Sequence, residues 1–173
     1  ALHAFCRRIQ SQWPRTMLST ATHDTKRGED ARLRIALLSE IPESWIAAVQ
    51  RWSQMNAGFR CKGFPDRDTE YYLYQTLVGA WPIDSDRLIP AMLKAVREAK
   101  LYTSWTDPNP EFENALRGFV GAVLRQGEFT ASLSAFLAPL AWPAMVASLS
   151  QTLIKCTAPG IPDIYQGAEL WDL

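Results

Sequence analysis

Arg15-Thr16-Met17-Leu18-Ser19-Thr20-Ala21-Thr22-His23-Asp24-Thr25-Lys26-Arg27-Gly28-Glu29-Asp30 is the stretch on which the architecture turns. Its first half is short, follows Pro14, and mixes Thr with apolar residues, so it reads as a buried strand. A polar cluster follows. Gly28-Glu29-Asp30 then opens a helix to about Ser39, with acids in the first turn, where the helix dipole favours them.

Helical spacing continues outward from there. Pro42 starts a helix in which Trp45, Val49, Trp52, Met55 and Phe59 recur, with Gly58 at its end. Residues 60 to 68 read as a loop. Tyr71, Tyr74, Val78 and Trp81 form a second stripe, stopped by Pro82, and Ile89, Met92 and Val96 a third. Asp107-Pro108-Asn109-Pro110 is a break. Phe112, Leu116, Phe119 and Val123 form a fourth stripe ending near Gly127. Two more helices, bent or split at Pro139 and Pro143, end before Pro159-Gly160, and Ile161 to Gly167 is short and extended. The order is one strand, six or seven helices, then one strand. Two lone strands need partners outside the chain, or must dock on the helices.

The 173 residues are 47% hydrophobic and 21% charged, which reads as a globular chain. Lys+Arg and Asp+Glu are both 18, and no dense basic run occurs, so neither nucleic acid nor an anionic membrane is expected as a partner. Residues 129 to 154 carry no charge, yet hold Pro139, Pro143, four serines and two threonines. That is too polar and broken for a membrane span, and reads as buried helices of a large protein. Cys6, Cys61 and Cys156 are far apart, which with two histidines disfavours a zinc site. They read as reduced, buried thiols of a cytoplasmic protein. Ala1 and the apolar ending read as the ends of a piece of something longer.

A strand whose C-terminal end delivers His23, Asp24, Lys26 and Arg27 has the form of an active-site rim in a (β/α)8 barrel. Taken alone, His23-Asp24 is more often a helix cap beside a packed histidine. Four ionisable groups within five residues of a buried strand shift that balance, since their burial costs energy unless they pair or serve a ligand.

Thr22-His23-Asp24 resembles the segment closing strand seven in the α-amylase family of glycoside hydrolases. Gly160-Ile161-Pro162-Asp163-Ile164-Tyr165-Gln166-Gly167-Ala168-Glu169 resembles its strand-eight segment. His23 to Asp30, Tyr74-Gln75-Thr76-Leu77 with Gly79-Ala80-Trp81-Pro82, Thr103-Ser104-Trp105 with Pro108-Asn109, and Glu169-Leu170-Trp171-Asp172-Leu173 are similar to the maltooligosyl trehalose synthase branch. The resemblance implies a mainly α piece of an incomplete barrel. Residues 1–40 hold the strand-seven region and its helix, 41–157 a helical insert, and 158–173 the strand-eight region.

The activity so implied is isomerisation of the reducing-end α-1,4 linkage of a maltooligosaccharide to α,α-1,1, without cofactor or metal. The family's nucleophile Asp and acid/base Glu follow strands four and five, which this chain lacks, so the rest of the barrel is an implied partner. By resemblance, Asp24 is the third catalytic carboxylate and His23 holds the same sugar. Lys26 and Arg27 hold the released glucose or the next sugar. Tyr165 and Gln166 are site candidates because they sit where the second strand ends. The size and position of the insert, between the two strand regions, suit it to be a wall or lid against water. Most tyrosines and tryptophans at helical spacing are expected in the core, Trp105 could serve either role, and Glu29 and Asp30 read as helix-start acids. Glu169 could face the site or pair with a neighbour. Two other readings remain: a non-catalytic helical glucan-binding or interaction module, and another hydrolase or transferase of the α-amylase family.

Overall fold

The computed structural model describes residues 1–168, 170 and 171. Its elements are α1 (Leu2–Gln12), β1 (Met17–Ser19), α2 (Glu29–Ala36), α3 (Pro42–Met55), α4 (Arg67–Ala80), α5 (Ser85–Ala99), α6 (Pro110–Arg125), α7 (Gly127–Leu137), α8 (Ala141–Thr157) and β2 (Ile161–Asp163). The chain is mainly α with two short strands, as the sequence leads one to expect. Helix α1 adds to the elements read from the sequence, and Ile9 is its one buried residue.

Two compact units form: residues 38–139, and residues 1–37 with 140–173. The boundary thus falls at 139/140, and α8 groups with the two strands.

The 38–139 unit is built from α3 to α7. Its helices start where polar side chains can take up the first free N–H groups. Asp84 accepts from Arg87 N at 2.8 Å, Asn109 from Phe112 N at 3.1 Å and Gln126 from Phe129 N at 2.9 Å. Pro42 and Pro110 sit in the first turns of α3 and α6, where a missing N–H costs nothing. Trp52 is fully buried at the centre. Its ring meets those of Trp45, Tyr74, Phe129 and Phe136 at 5.4–6.0 Å between centroids, mostly edge to face. Its Nε1 donates to Ser132 Oγ at 3.0 Å, so the indole leaves no orphaned donor. The stripes at 52, 74, 78 and at 92, 96 are core as expected. Tyr71 is not: 41% of it is exposed, and its hydroxyl accepts from Trp45 Nε1 at 2.9 Å.

Buried charge in this unit is paired. Glu113 accepts a two-pronged bond from Arg97 (Nε to Oε1 2.8 Å, Nη2 to Oε2 2.5 Å) and another from Thr103 Oγ1 at 2.8 Å. Arg97 also stacks 4.9 Å from the Trp105 ring centroid, so Trp105 packs on a cation while remaining largely exposed. Glu70 is shared by Arg60, Ser53 and Tyr74, and burial pushes the Tyr74 phenol well above its ordinary value.

In the other unit, β1 and β2 pair with each other in parallel, Met17 opposite Ile161 and Ser19 opposite Asp163. This differs from the expected buried strand over residues 15–22. β1 has only three residues, and 67% of Met17 is exposed. Helix α8 packs against α2 and β2. It too departs from expectation. Ala144 and Lys155 are its buried residues, while Trp142, Leu149 and Leu153 are 64–72% exposed. The run Gly127–Thr157 is long and apolar enough to cross a membrane. It is divided by a 3-10 turn at Ala138–Leu140 that contains Pro139, with Pro143 in the first turn of α8. The cysteines are free thiols, but none of the three is buried: Cys6 is half-buried, and Cys61, paired across a tight turn with Phe64, and Cys156, near the end of α8, are exposed.

Trp52→Ala removes the hub of five rings and should cost about 3–5 kcal/mol in urea-monitored stability of the 38–139 unit. The Arg97 bond holds the Glu113 carboxyl below its ordinary value. Its contribution is present above the ordinary carboxylate range and is lost as pH falls through the folded-state value. Thermal scans between about pH 6 and about pH 3 should show Glu113→Gln with a lower midpoint at the upper end and a shallower decline.

Candidate functional site

The site is made by the two chain segments that leave the parallel pair. Parallel strands deliver their C-terminal ends to the same edge. Beyond β1, Thr22-His23-Asp24-Thr25 folds into a tight turn. Thr25 N donates to Thr22 O at 3.0 Å, Thr22 N to Thr25 Oγ1 at 2.8 Å, and Asp24 N to Thr22 Oγ1 at 3.3 Å. The two threonines so lock the ends of the turn and leave His23 and Asp24 at its tip. Beyond β2, Tyr165-Gln166-Gly167-Ala168 makes a second turn, with Ala168 N donating to Tyr165 O at 3.2 Å and Gly167 at φ +83°.

The strands can come this close because residue 160 is glycine. A Cβ there would lie 2.8 Å from Thr16 O and 2.8 Å from Leu18 Cγ, and φ is +140°. Thr16 O is also the acceptor for Ile161 N at 2.8 Å, so the bond that starts the pairing occupies that space.

Between the turns lies a pocket of about 210 Å³. Arg27, Glu29, Asp30, Tyr165 and Gln166 line it, with Thr22 and Thr25 from the first turn. Of the residues expected at the site, the structure brings Arg27, Tyr165 and Gln166 together in one pocket wall. His23, Asp24 and Lys26 are not in the pocket wall. His23 Nε2 and Asp24 Oδ2 stand 3.4 Å apart at the lip, with side chains 80% and 88% exposed. The pocket wall mixes polar and apolar surface, carries both signs of charge, and has an aromatic ring at one side. Those are means of holding hydroxyls on a compact neutral ligand. Among the described residues no three His, Cys, Asp or Glu side chains group so as to hold a metal ion.

Two features of the wall escaped the sequence. Glu29 and Asp30 do open α2 as helix-start acids, but both are buried residues that also border the pocket. Behind them stands Lys155, whose Nζ donates to Thr20 Oγ1 at 2.8 Å and lies 3.7 Å from Glu29 Oε2. The signal was there: Lys155 is the first charge after a long uncharged run. Glu169 lies outside the described residues, as do Asp172 and Leu173.

With this geometry in hand, the chain can be compared with known proteins. No family model matches it. A Mycobacterium tuberculosis protein bearing the name maltooligosyl trehalose synthase is 38% identical over 167 residues, covering 92% of this chain and 21% of its own length. A solved maltooligosyl trehalose synthase superposes with a TM-score of 0.89 at 35% identity, covering 99% of this chain and 24% of that one. The maltooligosyltrehalose synthase of Arthrobacter ramosus does so with a TM-score of 0.86 at 38% identity, covering 98% and 22%. The chain is homologous to one segment of maltooligosyl trehalose synthases. It spans 21% of the length of the curated relatives it matches. The similarity runs through both strand-end turns and all the helices between them, as the share of this chain covered requires.

Gly160→Ala should cost about 1–3 kcal/mol, since the new methyl meets backbone at a positive φ. Gly118→Ala, in the middle of α6 with open space around the added carbon, should instead stabilise by about 0.5–1 kcal/mol. Chemical denaturation of the two variants checks the contrast in sign.

Proposed function

We propose that this chain is the part of an intramolecular transglucosylase that holds the sugar next to the cleaved bond, while the reducing-end α-1,4 linkage of a maltooligosaccharide is isomerised to α,α-1,1. The observation that carries this is the pairing of two strand-end turns, His23-Asp24 and Tyr165-Gln166, on one edge of a parallel ladder in a chain homologous to maltooligosyl trehalose synthases.

The chemistry divides as follows. Glycosyl transfer of this kind breaks the C1–O4 bond through an oxocarbenium-like state, with a nucleophilic carboxylate and an acid/base carboxylate on either side of the sugar. Those two belong to the remainder of the barrel. Asp24 accepts hydroxyl hydrogen bonds from the reacting sugar and stabilises the positive charge that grows on it. His23 donates to a hydroxyl of the same ring. Lys26 and Arg27 hold the freed glucose while it turns, so that its anomeric hydroxyl, rather than water, closes the new bond. A pocket of about 210 Å³ has room for a single hexose ring, which fits that task.

The remainder of the barrel also answers for the apolar surface left bare here. Trp142, Leu149 and Leu153 on α8 and Met17 on β1 are the side chains a further strand and helix of the complete polypeptide would cover. The short two-stranded ladder gains its missing neighbours in the same way.

The test is Asp24→Asn in the complete polypeptide, with maltopentaose as substrate and loss of reducing ends as the signal. Isomerisation should fall by at least about a hundredfold with the circular dichroism spectrum unchanged. Activity near that of the parent would mean that Asp24 is a turn residue only, and the assignment would be withdrawn.

A further inference from the structure

We propose that Lys155 is a positioning residue for the Asp24 turn, acting from α8 through the hydroxyl of Thr20; this rests on the function proposed above. Lys155 is 5% exposed and is the first charge after residues 129 to 154. A buried ammonium on an otherwise uncharged helix is costly unless it is paired and hydrogen-bonded. Here it has two partners, both on the segment that carries the site. Its Nζ donates to Thr20 Oγ1 at 2.8 Å and stands 3.7 Å from Glu29 Oε2. Thr20 Oγ1 in turn donates to Glu29 Oε2.

The direction of these bonds is fixed. An ammonium can only donate and a carboxylate can only accept. The Thr20 proton must therefore point at Glu29, and Lys155 sets the rotamer of Thr20. Thr20 follows the last residue of β1, two residues before the turn that presents His23 and Asp24. Its carbonyl is gripped as well, by Arg32 Nη2 from α2. Both the side chain and the backbone of Thr20 are thus held where the strand passes into the turn.

Helix α8 repeats the grip one step along. Ser148 Oγ donates to Asp30 Oδ1 at 2.6 Å. Residues 148 and 155 are two helical turns apart and share a face. That face meets Glu29 and Asp30, the first two residues of α2 and part of the pocket wall. Helix α8 so fixes the turn from behind without itself lining the pocket.

Kinetics of the complete polypeptide on maltopentaose test this with Lys155→Met and Thr20→Val, each alone and combined with Asp24→Asn. Each single variant that folds, by near-ultraviolet circular dichroism, should lose about tenfold or more in kcat, with KM changed less than about threefold. In the Asp24→Asn background neither should lower the residual kcat further, because a residue acting through Asp24 has nothing left to position. A folded variant that keeps kcat within about threefold, or losses that multiply with Asp24→Asn, would overturn the inference. If Lys155→Met fails to fold, Thr20→Val decides alone, since it leaves the Lys155–Glu29 pair in place. A fully active Lys155→Met protein beside an inactive Asp24→Asn protein sinks this inference only, whereas an active Asp24→Asn protein sinks the functional assignment.

Discussion

The parallel pairing of β1 with β2 is the constraint on which the site depends. It is a small interaction, three residues against three, and it exists because Gly160 lets one backbone lie against Thr16 and Leu18. From that pairing the rest follows by geometry. Two strands running the same way must end at the same edge, and whatever follows them is brought side by side, though Thr22 and Tyr165 are far apart in sequence. The Thr22–Thr25 turn and the Tyr165–Ala168 turn then enclose a pocket that neither could make alone.

So short a ladder is held by what stands behind it. Lys155, Thr20 and Glu29 form a closed set of polar contacts beneath the first turn, and Ser148 secures Asp30. The 38–139 unit follows a different principle. Its centre is the cluster of rings around Trp52, and its charges are settled in local groups such as Arg97 with Glu113 and Thr103. A self-contained aromatic core and a strand pair that leans on one helix are two levels of autonomy within one chain. The exposed apolar side chains lie mostly on the second.

Much of this was legible in the sequence because it rests on local rules. Pro42, Asp107-Pro108-Asn109-Pro110 and Pro139 mark helix limits by removing donors or fixing φ, although Pro90 is carried inside α5. The stripes through Trp52, Tyr74, Met92 and Phe119 became core, since a periodic apolar face has to be buried by some neighbour. The turn motifs were readable by resemblance. What was not legible depends on partners distant in sequence. Nothing near Lys155 announces that Thr20 is its acceptor, and nothing near Glu29 shows that a helix-start acid also borders a pocket. Helix α8 looked like core because its composition is apolar. Composition says that a face wants cover, but not whether the cover comes from the same stretch of chain.

The central claim is that the edge formed by the two turns holds a sugar. The most direct measurement is a crystal structure of the complete polypeptide with trehalose bound. The account predicts a glucose ring between the turns, with an Asp24 carboxylate oxygen and the Arg27 guanidinium each within about 2.6–3.2 Å of a ring hydroxyl. Trehalose bound in an active site to which neither the His23-Asp24 turn nor the Tyr165-Gln166 turn contributes a contact would contradict it.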